Sequence, residues 1–222
     1  MRVSVVLPVR NGATHLAETL ASVVAQTVAA FEILVVDGAS TDRTREIAAA
    51  FPGVRLLEQR GPNLSSAYNT ALAELSGELV AFQSHDDLWA PEKTARQIAH
   101  LTACPHLDLS LVQTELFLGP GDVAPPGARL EALGAPLRAR LLEAMLLRRE
   151  IVARNGLFRE ELAPLGDTEW IARLATHGAR SEYLDDCLLR KRLHSGSTLH
   201  AAGAAPLMRN LKAAIDGRRR GG

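Results

Sequence analysis

Residues 3–12 read VSVVLPVRNG, a valine-rich run that ends at a polar turn. The run is apolar almost without interruption, which is typical of a strand buried on both faces of a parallel sheet. Three further predicted strands follow at residues 31–36, 54–59 and 79–82, and segments with helical spacing separate them. This alternation of strand and helix predicts an α/β fold, a mostly parallel sheet flanked by helices.

The second half of the chain is less regular than the first, and no linker divides the two halves cleanly. The segments predicted there are a helix (91–101), a strand (107–118), a Gly- and Pro-rich loop (119–136), a helix with a broad leucine stripe (137–149), a second helix (167–177) and a strand within 181–194.

Composition limits the classes of protein to which the chain can belong. Of its 222 residues, 47% are hydrophobic, which is enough for one well-buried domain. The 25 Lys and Arg residues balance the 25 Asp and Glu residues, so nothing indicates a nucleic-acid partner. Cys104 and Cys187 have no metal or redox spacing and are interpreted as small core residues. No apolar stretch approaches the roughly 18 residues of a membrane span, so we expect a cytoplasmic protein.

Two adjacent acids, Asp86 and Asp87, come shortly after the fourth predicted strand. Ligands of open α/β sheets bind at the carboxyl ends of the strands, where Asp37 also falls. Neighbouring carboxylates repel unless a cation neutralises them, and Mg²⁺ and Mn²⁺ prefer oxygen ligands completed by substrate phosphates. The pair therefore indicates a metal-bridged diphosphate, with a helix cap before Pro91 or a solvated turn as the alternative. Dinucleotide-binding, P-loop, zinc-protease and serine-hydrolase motifs are absent from the sequence.

Several segments, taken in order, resemble the family-2 glycosyltransferases, which have the GT-A fold. Those proteins typically show a strand ending in Pro-x-x-Asn, a V-D-D-G-S-x-D segment and a D-x-D-D segment followed by Pro. The corresponding segments here are VSVVLPVRNGATHLAETLASVVAQT (3–27), FEILVVDGASTDRT (31–44) and GELVAFQSHDDLWAPEK (77–93), and later NGLFREE (155–161), GDTEWIARLATHG (166–178) and RKRLHSGSTL (190–199). The resemblance implies one GT-A domain over residues 1–222. Its parts would be a nucleotide-sugar-binding half (1–103), an irregular acceptor and catalytic half (104–203), and a C-terminal helix and basic tail (204–222).

The resemblance also implies a donor site for a nucleotide diphosphate sugar, a UDP- or dTDP-sugar, with Mn²⁺ or Mg²⁺ as cofactor. Residues implied to bind the donor are Pro8 and Asn11 (nucleotide loop), Asp37 (base), Asp86 and Asp87 (ribose and metal), and Arg192 and His194 (diphosphate). Which of the two adjacent acids is the main metal ligand stays open, with Asp86 preferred. The acceptor is unknown, and a homodimer is possible.

Asp167 resembles the general base of these inverting enzymes, which takes the proton of the acceptor hydroxyl while the nucleoside diphosphate leaves from the opposite face. At the start of a predicted helix it could also serve as an N-cap. Glu169 is a secondary site residue that should point elsewhere on that helix. Trp170 is interpreted equally as a sugar platform or a core residue, and His85 as a further contact to donor or metal that no family motif supports.

Three positions depart from the family pattern. Gly38 replaces a second Asp, Ser84 replaces the first Asp of D-x-D-D, and Gly166 replaces the Glu before the base. These changes motivate one alternative function, a catalytically silent nucleotide-sugar-binding protein on the same fold. A sugar-nucleotide pyrophosphorylase is the other alternative. That class carries a Gly-rich basic loop after the first strand, of which residues 10–12 are a poor version.

Overall fold

In the computed structural model, residues 1–126, 128 and 130–195 are described. The strands are β1 (Val3–Val9), β2 (Glu32–Asp37), β3 (Val54–Glu58), β4 (Leu79–Phe82), β5 (Leu88–Trp89), β6 (Leu109–Phe117), β7 (Met145–Arg148) and β8 (Ser181–Arg192). The helices are α1 (Leu16–Val24), α2 (Thr44–Ala49), α3 (Leu64–Leu72), α4 (Lys93–Ala103), α5 (Arg149–Asn155) and α6 (Gly166–Thr176). The strands form an eight-stranded sheet in the order β3-β2-β1-β4-β7-β6-β8-β5.

The first four strands of that order are parallel, and helices cover both of their faces. Every residue of β1 is buried. Val5 and Leu7 share a core cluster with Leu20 of α1, whereas Val6 belongs to a second cluster with Ala67 of α3. Successive side chains of a strand point to opposite faces, so the unbroken valine run satisfies both cores at once. The predicted buried strand is confirmed.

The remaining strands make the sheet mixed. β7 pairs antiparallel with β4 and β6, β6 pairs parallel with β8, and β5 pairs antiparallel with β8 at the sheet edge. The predicted α/β class, a sheet flanked by helices, is therefore confirmed, and its parallel pairing is concentrated in the first half of the chain.

The predicted helix over residues 137–149 is wrong. The structure shows a 3-10 turn at Leu142–Ala144, then β7, and only at Arg149 does α5 begin. The side chains of this segment are good helix formers, but β7 fills the position between β4 and β6, where Leu147 pairs with both Val80 and Leu109. Tertiary pairing overrides local propensity here.

The predicted helix near residues 167–177 and the strand within 181–194 are confirmed as α6 and β8. The predicted C-terminal helix and tail (204–222) lie outside the described residues. Within the described part of the chain, no helix has the length and apolar character that crossing a membrane requires.

Candidate donor and catalytic site

The site is built where β5 meets β8. These strands run antiparallel, with Leu88 opposite Arg190. Continuing that register one and two residues beyond β5 sets Asp87 opposite Lys191 and places Asp86 beside Arg192. A two-residue strand thus brings the adjacent acids against the basic end of β8.

Asp87 is fully buried and serves as a structural anchor for that basic end. Its Oδ2 accepts a hydrogen bond of 2.7 Å from Lys191 Nζ, and its Oδ1 accepts one of 2.9 Å from the Arg192 backbone N–H. Burial raises the pKa of Asp87 to about 7, although Lys191 favours its ionised form. Burial would lower the pKa of Lys191, but the carboxylates of Asp87 and Glu143 outweigh it and raise that pKa. Both oxygens of Asp87 are engaged inside the protein.

Asp86 differs from its neighbour because its side chain retains 12% exposure and opens toward solvent. Its Oδ2 lies 2.9 Å from Nε2 of His194. Burial opposes ionisation of Asp86, but nearby His85, Lys191 and His194 outweigh it and lower the pKa of the carboxyl. Asp86 is therefore an ionised carboxylate at the rim, with an imidazole beside it.

Arg192 closes this corner of the site through contacts made in several directions. Its Nε donates to the Asp86 carbonyl oxygen at 2.9 Å and its Nη1 to Asp122 Oδ2 at 2.9 Å. Nη2 forms an ion pair with Glu18 of α1, and the guanidinium lies 4.6 Å from the Phe117 ring centroid. The side chain is 3% exposed, so its orientation is tightly determined. Sequence reasoning identified Arg192 but none of these acidic partners.

Glu143 is a functional candidate that sequence reasoning missed, because its segment was predicted as a helix. Its Oε1 accepts a hydrogen bond of 2.5 Å from Ser84 Oγ and lies 3.6 Å from Lys191 Nζ. Burial opposes its ionisation, but Lys191 and Ser84 lower its pKa. The carboxylate missing at Ser84 is thus supplied from the turn before β7. A strand prediction for residues 145–148 would have placed Glu143 at the sheet edge.

Asp167 is positioned by an aromatic stack beneath α6. Trp170, three residues later and on the same side of the helix, stacks on Phe158 with ring centroids 4.7 Å apart, and its Nε1 donates to the Gly156 carbonyl at 2.8 Å. Phe82, the last residue of β4, contacts both rings edge-on. The stack fixes the start of α6 relative to the end of β4, the strand that precedes the paired acids.

The electrostatic surroundings of Asp167 favour its protonated form. Burial raises the pKa of Asp167 and the Glu143 carboxylate raises it further, against a hydrogen bond of 2.7 Å from the Thr168 backbone N–H. The pKa of Tyr68 responds to the same acids. Burial raises this pKa well above its usual value, and four carboxylates raise it further: Glu143, Asp167, Asp87 and Asp86. The acids from both halves of the chain therefore share one electrostatic environment.

The predicted nucleotide loop residues lie at the ends of β1 and β2. Pro8 is buried opposite Val36, just beyond Val6, where the β1–β4 pairing ends, so its missing N–H breaks no bond on that side. Asn11 has a left-handed φ of 51°, and its Oδ1 accepts a bond of 2.8 Å from the Thr41 N–H. The two loops are thereby joined.

Asp37 is buried at the end of β2. Its Oδ2 lies 3.1 Å from Arg45 Nη1, and both oxygens accept from the Ser40 N–H at 3.3 Å. It therefore braces the loop that follows β2.

The three secondary candidates have distinct placements. Glu169 turns away from the acids and binds Arg173 at 3.0 Å and Arg159 at 3.5 Å. Trp170 is fully buried, so of its two interpretations the core one holds and the sugar platform does not. His85 packs against the chain after β1: a Cβ added at Gly12 would lie 2.8 Å from its Cδ2. Burial lowers the pKa of His85, although Asp86 acts in the opposite direction.

Local packing is tight at two of the departures from the family pattern. A Cβ at Gly166 would lie 2.0 Å from Ser65 Oγ and 3.2 Å from the Arg159 carbonyl oxygen, so a Glu there would require the Ser65 side chain to move. A Cβ at Gly38 would lie 2.8 Å from the Gln59 side-chain oxygen.

Comparison with known proteins identifies the family of the chain. The family model described as Glycosyl transferase family 2 matches residues 4–115, half of the chain. The chain belongs to glycosyl transferase family 2. An uncharacterized glycosyltransferase of Rickettsia typhi is 28% identical over 90% of this chain and 66% of its own length. The UDP-Glc:alpha-D-GlcNAc-diphosphoundecaprenol beta-1,3-glucosyltransferase WfgD of Escherichia coli is 35% identical over 44% of this chain and 40% of its own. The chain thus spans less than two thirds of these relatives.

Solved structures support the predicted GT-A fold. S. aureus TarS 1-349 in complex with UDP-GlcNAc superposes with a TM-score of 0.70 at 22% identity, over 90% of this chain and 61% of that one. The mannosyltransferase PcManGT of Pyrobaculum calidifontis, in complex with GDP-Man and Mn2+, gives 0.62 at 26% identity, over 86% and 56%. This family-2 member therefore shares the GT-A type of fold with these structures.

Proposed function

We propose that this glycosyltransferase moves a sugar from a nucleoside diphosphate sugar to an acceptor hydroxyl with inversion at the anomeric carbon, and that it requires Mn²⁺ or Mg²⁺. One observation carries the proposal: the Asp86 carboxylate, with Nε2 of His194 2.9 Å from its Oδ2, lies beyond the carboxyl end of β4 and against the basic end of β8. The donors named for the solved relatives, UDP-GlcNAc and GDP-Man, support a nucleotide sugar as the donor class.

The residues present fit a divalent cation. Asp86 offers a carboxylate that keeps some exposure to solvent, and His194 offers an imidazole whose Nε2 lies 2.9 Å from Oδ2 of that carboxylate. Mn²⁺ accepts both donor types, and Mg²⁺ needs only one or two carboxylates beside substrate phosphates. Asp87 is already saturated by Lys191 and the Arg192 N–H. We therefore assign Asp86 as the protein ligand and Asp87 as its support. A bound cation would supply stabilisation of the negative charge on the departing diphosphate.

Asp167 acts as the general base in this proposal. Its carboxylate takes the proton from the acceptor hydroxyl as that oxygen attacks the anomeric carbon, and the bond to the diphosphate oxygen breaks on the opposite face. A raised pKa improves a carboxylate as a base, provided that it stays ionised at the working pH. Its burial and the nearby Glu143 carboxylate produce this raised pKa.

The basic end of β8 orients the leaving group. The Arg192 side chain is held by Asp122 and Glu18, so it pre-organises this corner and contributes no fully free charge. His194 sits between Asp86 and the ring of His15, whose centroid is 5.0 Å away. In this proposal the imidazole turns from Asp86 to the diphosphate, or joins Asp86 in binding the cation. Donor groups fixed before the reaction stabilise developing charge without reorganising.

A catalytically silent binding protein is the second candidate, and Gly166 favours it, since the Glu that precedes the family's base is absent there. Glu143 argues against this candidate, because its carboxylate enters the same cluster from the turn before β7 and raises the pKa of Asp167. The family assignment argues against the pyrophosphorylase alternative.

The experiment is a two-stage donor screen. Melting temperatures are measured with UDP-GlcNAc, UDP-glucose, a dTDP-sugar and GDP-mannose, each with Mn²⁺, with Mg²⁺ or with EDTA. We expect one donor to raise the melting temperature only with metal, since a ligand that binds the folded state stabilises it. Donor turnover and NMR of the product anomer then test transfer and inversion. Metal-dependent binding without turnover across an acceptor panel would establish the silent protein instead. Binding that is unaffected by EDTA would refute the metal requirement.

Two earlier expectations stay predictions: the cytoplasmic location and the possible homodimer. Light scattering at several protein concentrations tests the second.

A further inference from the structure

A second group of metal-ligating side chains lies at the far end of β8. His100 and Cys104 are on one face of α4, four residues apart, and Glu182 is the second residue of β8. One ligand atom from each of the three falls within 4.8 Å of the others. His106, in the loop between α4 and β6, places its Nε2 3.9 Å from the other carboxylate oxygen of Glu182. Two imidazoles and one thiol thus lie around the carboxylate of Glu182.

The spacing of these atoms is close to that of a bound tetrahedral ion. Ligand atoms about 2.0–2.3 Å from zinc lie roughly 3.3–3.6 Å apart. Nε2 of His100 is 3.6 Å from Oε2 of Glu182, so both could bind one ion with little movement. His106 lies further from this group, and its exposed side chain would have to move closer to reach the same ion.

His100 carries a feature that is typical of a metal-binding histidine. Its Nδ1 lies 2.9 Å from Ser110 Oγ of β6, which leaves Nε2 directed at Glu182. Histidine ligands of zinc usually make such a second bond with the other ring nitrogen, which fixes the ring orientation. The His100 side chain is 13% exposed, so the packing already limits its rotation. Among the residues that the structure describes, no Lys or Arg forms an ion pair with Glu182.

We propose that His100, Cys104, His106 and Glu182 form a structural zinc site that ties the end of α4 and the following loop to the start of β8. Zinc suits the set because it is borderline soft and accepts thiolate, imidazole and carboxylate together. Binding would release the thiol proton of Cys104 to solvent, with the thiolate as ligand. Ten residues of β8 separate Glu182 from Arg192, about 30 Å at the rise of a strand. The site is therefore separate from the donor cation.

The test uses the full-length, tag-free protein after removal of metals with a chelator. Zinc is titrated against a chromophoric competitor, and cobalt is added separately, because tetrahedral cobalt with a thiolate ligand has strong visible and near-ultraviolet bands. The variants are Cys104→Ala and His100→Gln. Matched controls are Cys187→Ala, at the other half-buried cysteine, and Asp86→Asn, in the donor site.

We expect one zinc per chain, a raised melting temperature with zinc, and cobalt–thiolate bands in the wild-type protein. Loss of one ligand should weaken zinc binding by at least about 100-fold, since even second-shell partners of a metal affect affinity 10- to 100-fold. Both controls should bind zinc as the wild type does. Circular dichroism of the metal-free variants shows whether they fold. Zinc binding unchanged in Cys104→Ala, lost only in Asp86→Asn, or absent from the folded wild type would each overturn the proposal.

Discussion

The parallel half of the sheet, β3-β2-β1-β4, and the mixed half, β7-β6-β8-β5, bring charged groups to the site by different means. In the parallel half, Asp37 and Asp86 come at or shortly after strand ends, and topology alone gathers them at one edge. In the mixed half, Lys191 and Arg192 lie within a strand, and only their register against β5 aligns them with the acids. The order of strands and helices thus positions the carboxylates, whereas the pairing of β5 with β8 positions the basic side chains. Substitutions in the two halves should therefore have different effects.

The largest effect should separate donor binding from chemistry. Asp167→Asn should lower kcat by about 10²- to 10⁴-fold, the usual contribution of a positioned base, while donor binding with Mn²⁺ is retained. Asp86→Asn should lose metal-dependent binding. Calorimetry and initial rates measure the two quantities, with Asp185→Asn, an exposed acid paired to Arg138, as the control. Equal loss of donor binding in Asp167→Asn and Asp86→Asn would contradict the separate roles of these two residues.

The next effect concerns stability. Lys191→Met leaves Asp87 buried without its partner and should reduce the free energy of unfolding by about 3–5 kcal/mol. Arg190→Met, one residue away, removes a half-exposed pair with Glu115 and a cation–π contact with Phe117, and should cost about 1 kcal/mol. Denaturant unfolding compares them. If Lys191→Met does not fold, the double variant Lys191→Met/Asp87→Leu should recover part of the stability, because the buried Asp87 carboxylate is then removed and only Glu143 still lacks its Lys191 partner. Equal costs for the two single variants would contradict this account.

Lys93 lies where α4 packs against Trp89 of β5, and it tests the stability cost of burying a charge there. It is fully buried on α4, with its Nζ 3.0 Å from Gln97 and 4.1 Å from the Trp89 ring centroid, and burial lowers its pKa to about 7. The unfolded chain, whose lysine pKa is near 10.4, binds more protons than the native state between pH 7 and 10. Stability from this group therefore rises with pH over that window and is lowest below pH 7.

Lys93→Met should remove that dependence. The gain should be about 1–3 kcal/mol below pH 7, as found when buried charges give way to packed apolar groups, and should shrink toward pH 10. Unfolding curves from pH 6 to 10 measure it. A loss of stability at every pH would mean that the ammonium contact with Trp89 outweighs the burial of the charge.

A smaller effect tests whether Glu143, from the mixed half, changes the pKa of the proposed base Asp167. Glu143→Gln removes a negative charge that raises the pKa of Asp167, so the acid limb of the kcat/KM profile should move to lower pH. A shift of up to about one pH unit is expected, equivalent to about 1.4 kcal/mol. Glu150→Gln, on the exposed side of α5, should leave the limb in place. A lower kcat with an unmoved limb would assign Glu143 to another role.

The smallest effect concerns the loop after β2. Ala39 has a left-handed φ of 58°, a conformation that costs a residue with a Cβ about 1–2 kcal/mol. Glycine removes that cost but loses more entropy on folding, so Ala39→Gly should stabilise by about 0.5 kcal/mol. The same change at Ala49, exposed in α2, should instead destabilise by about 1 kcal/mol. Two losses of equal size would show that the loop carries no strain.

The contrast between the halves also explains what the sequence could and could not predict. Unbroken valine runs identify buried parallel strands, so the order of elements through β4 and the position of Asp86 followed directly from the sequence. Residues 142–148 carry helix-forming side chains, and only the gap between β4 and β6 turns part of them into a strand. Because the sequence predicts a helix for that segment, it does not identify Glu143 as a site residue. A two-residue strand such as β5 has no sequence signature, so the pairing of Asp87 with Lys191 could not be foreseen.

The distance along the chain between Asp87 and Lys191, 104 positions, has a consequence for biosynthesis. The acid leaves the ribosome long before its ammonium partner is translated. Until β8 emerges, the first half can form its valine core but must hold Asp87 either protonated or outside the core. The segment that holds Asp87 can therefore pack against β8 only late in synthesis. Messages truncated before codon 191 should yield chains in which this segment is exposed to quality-control proteases.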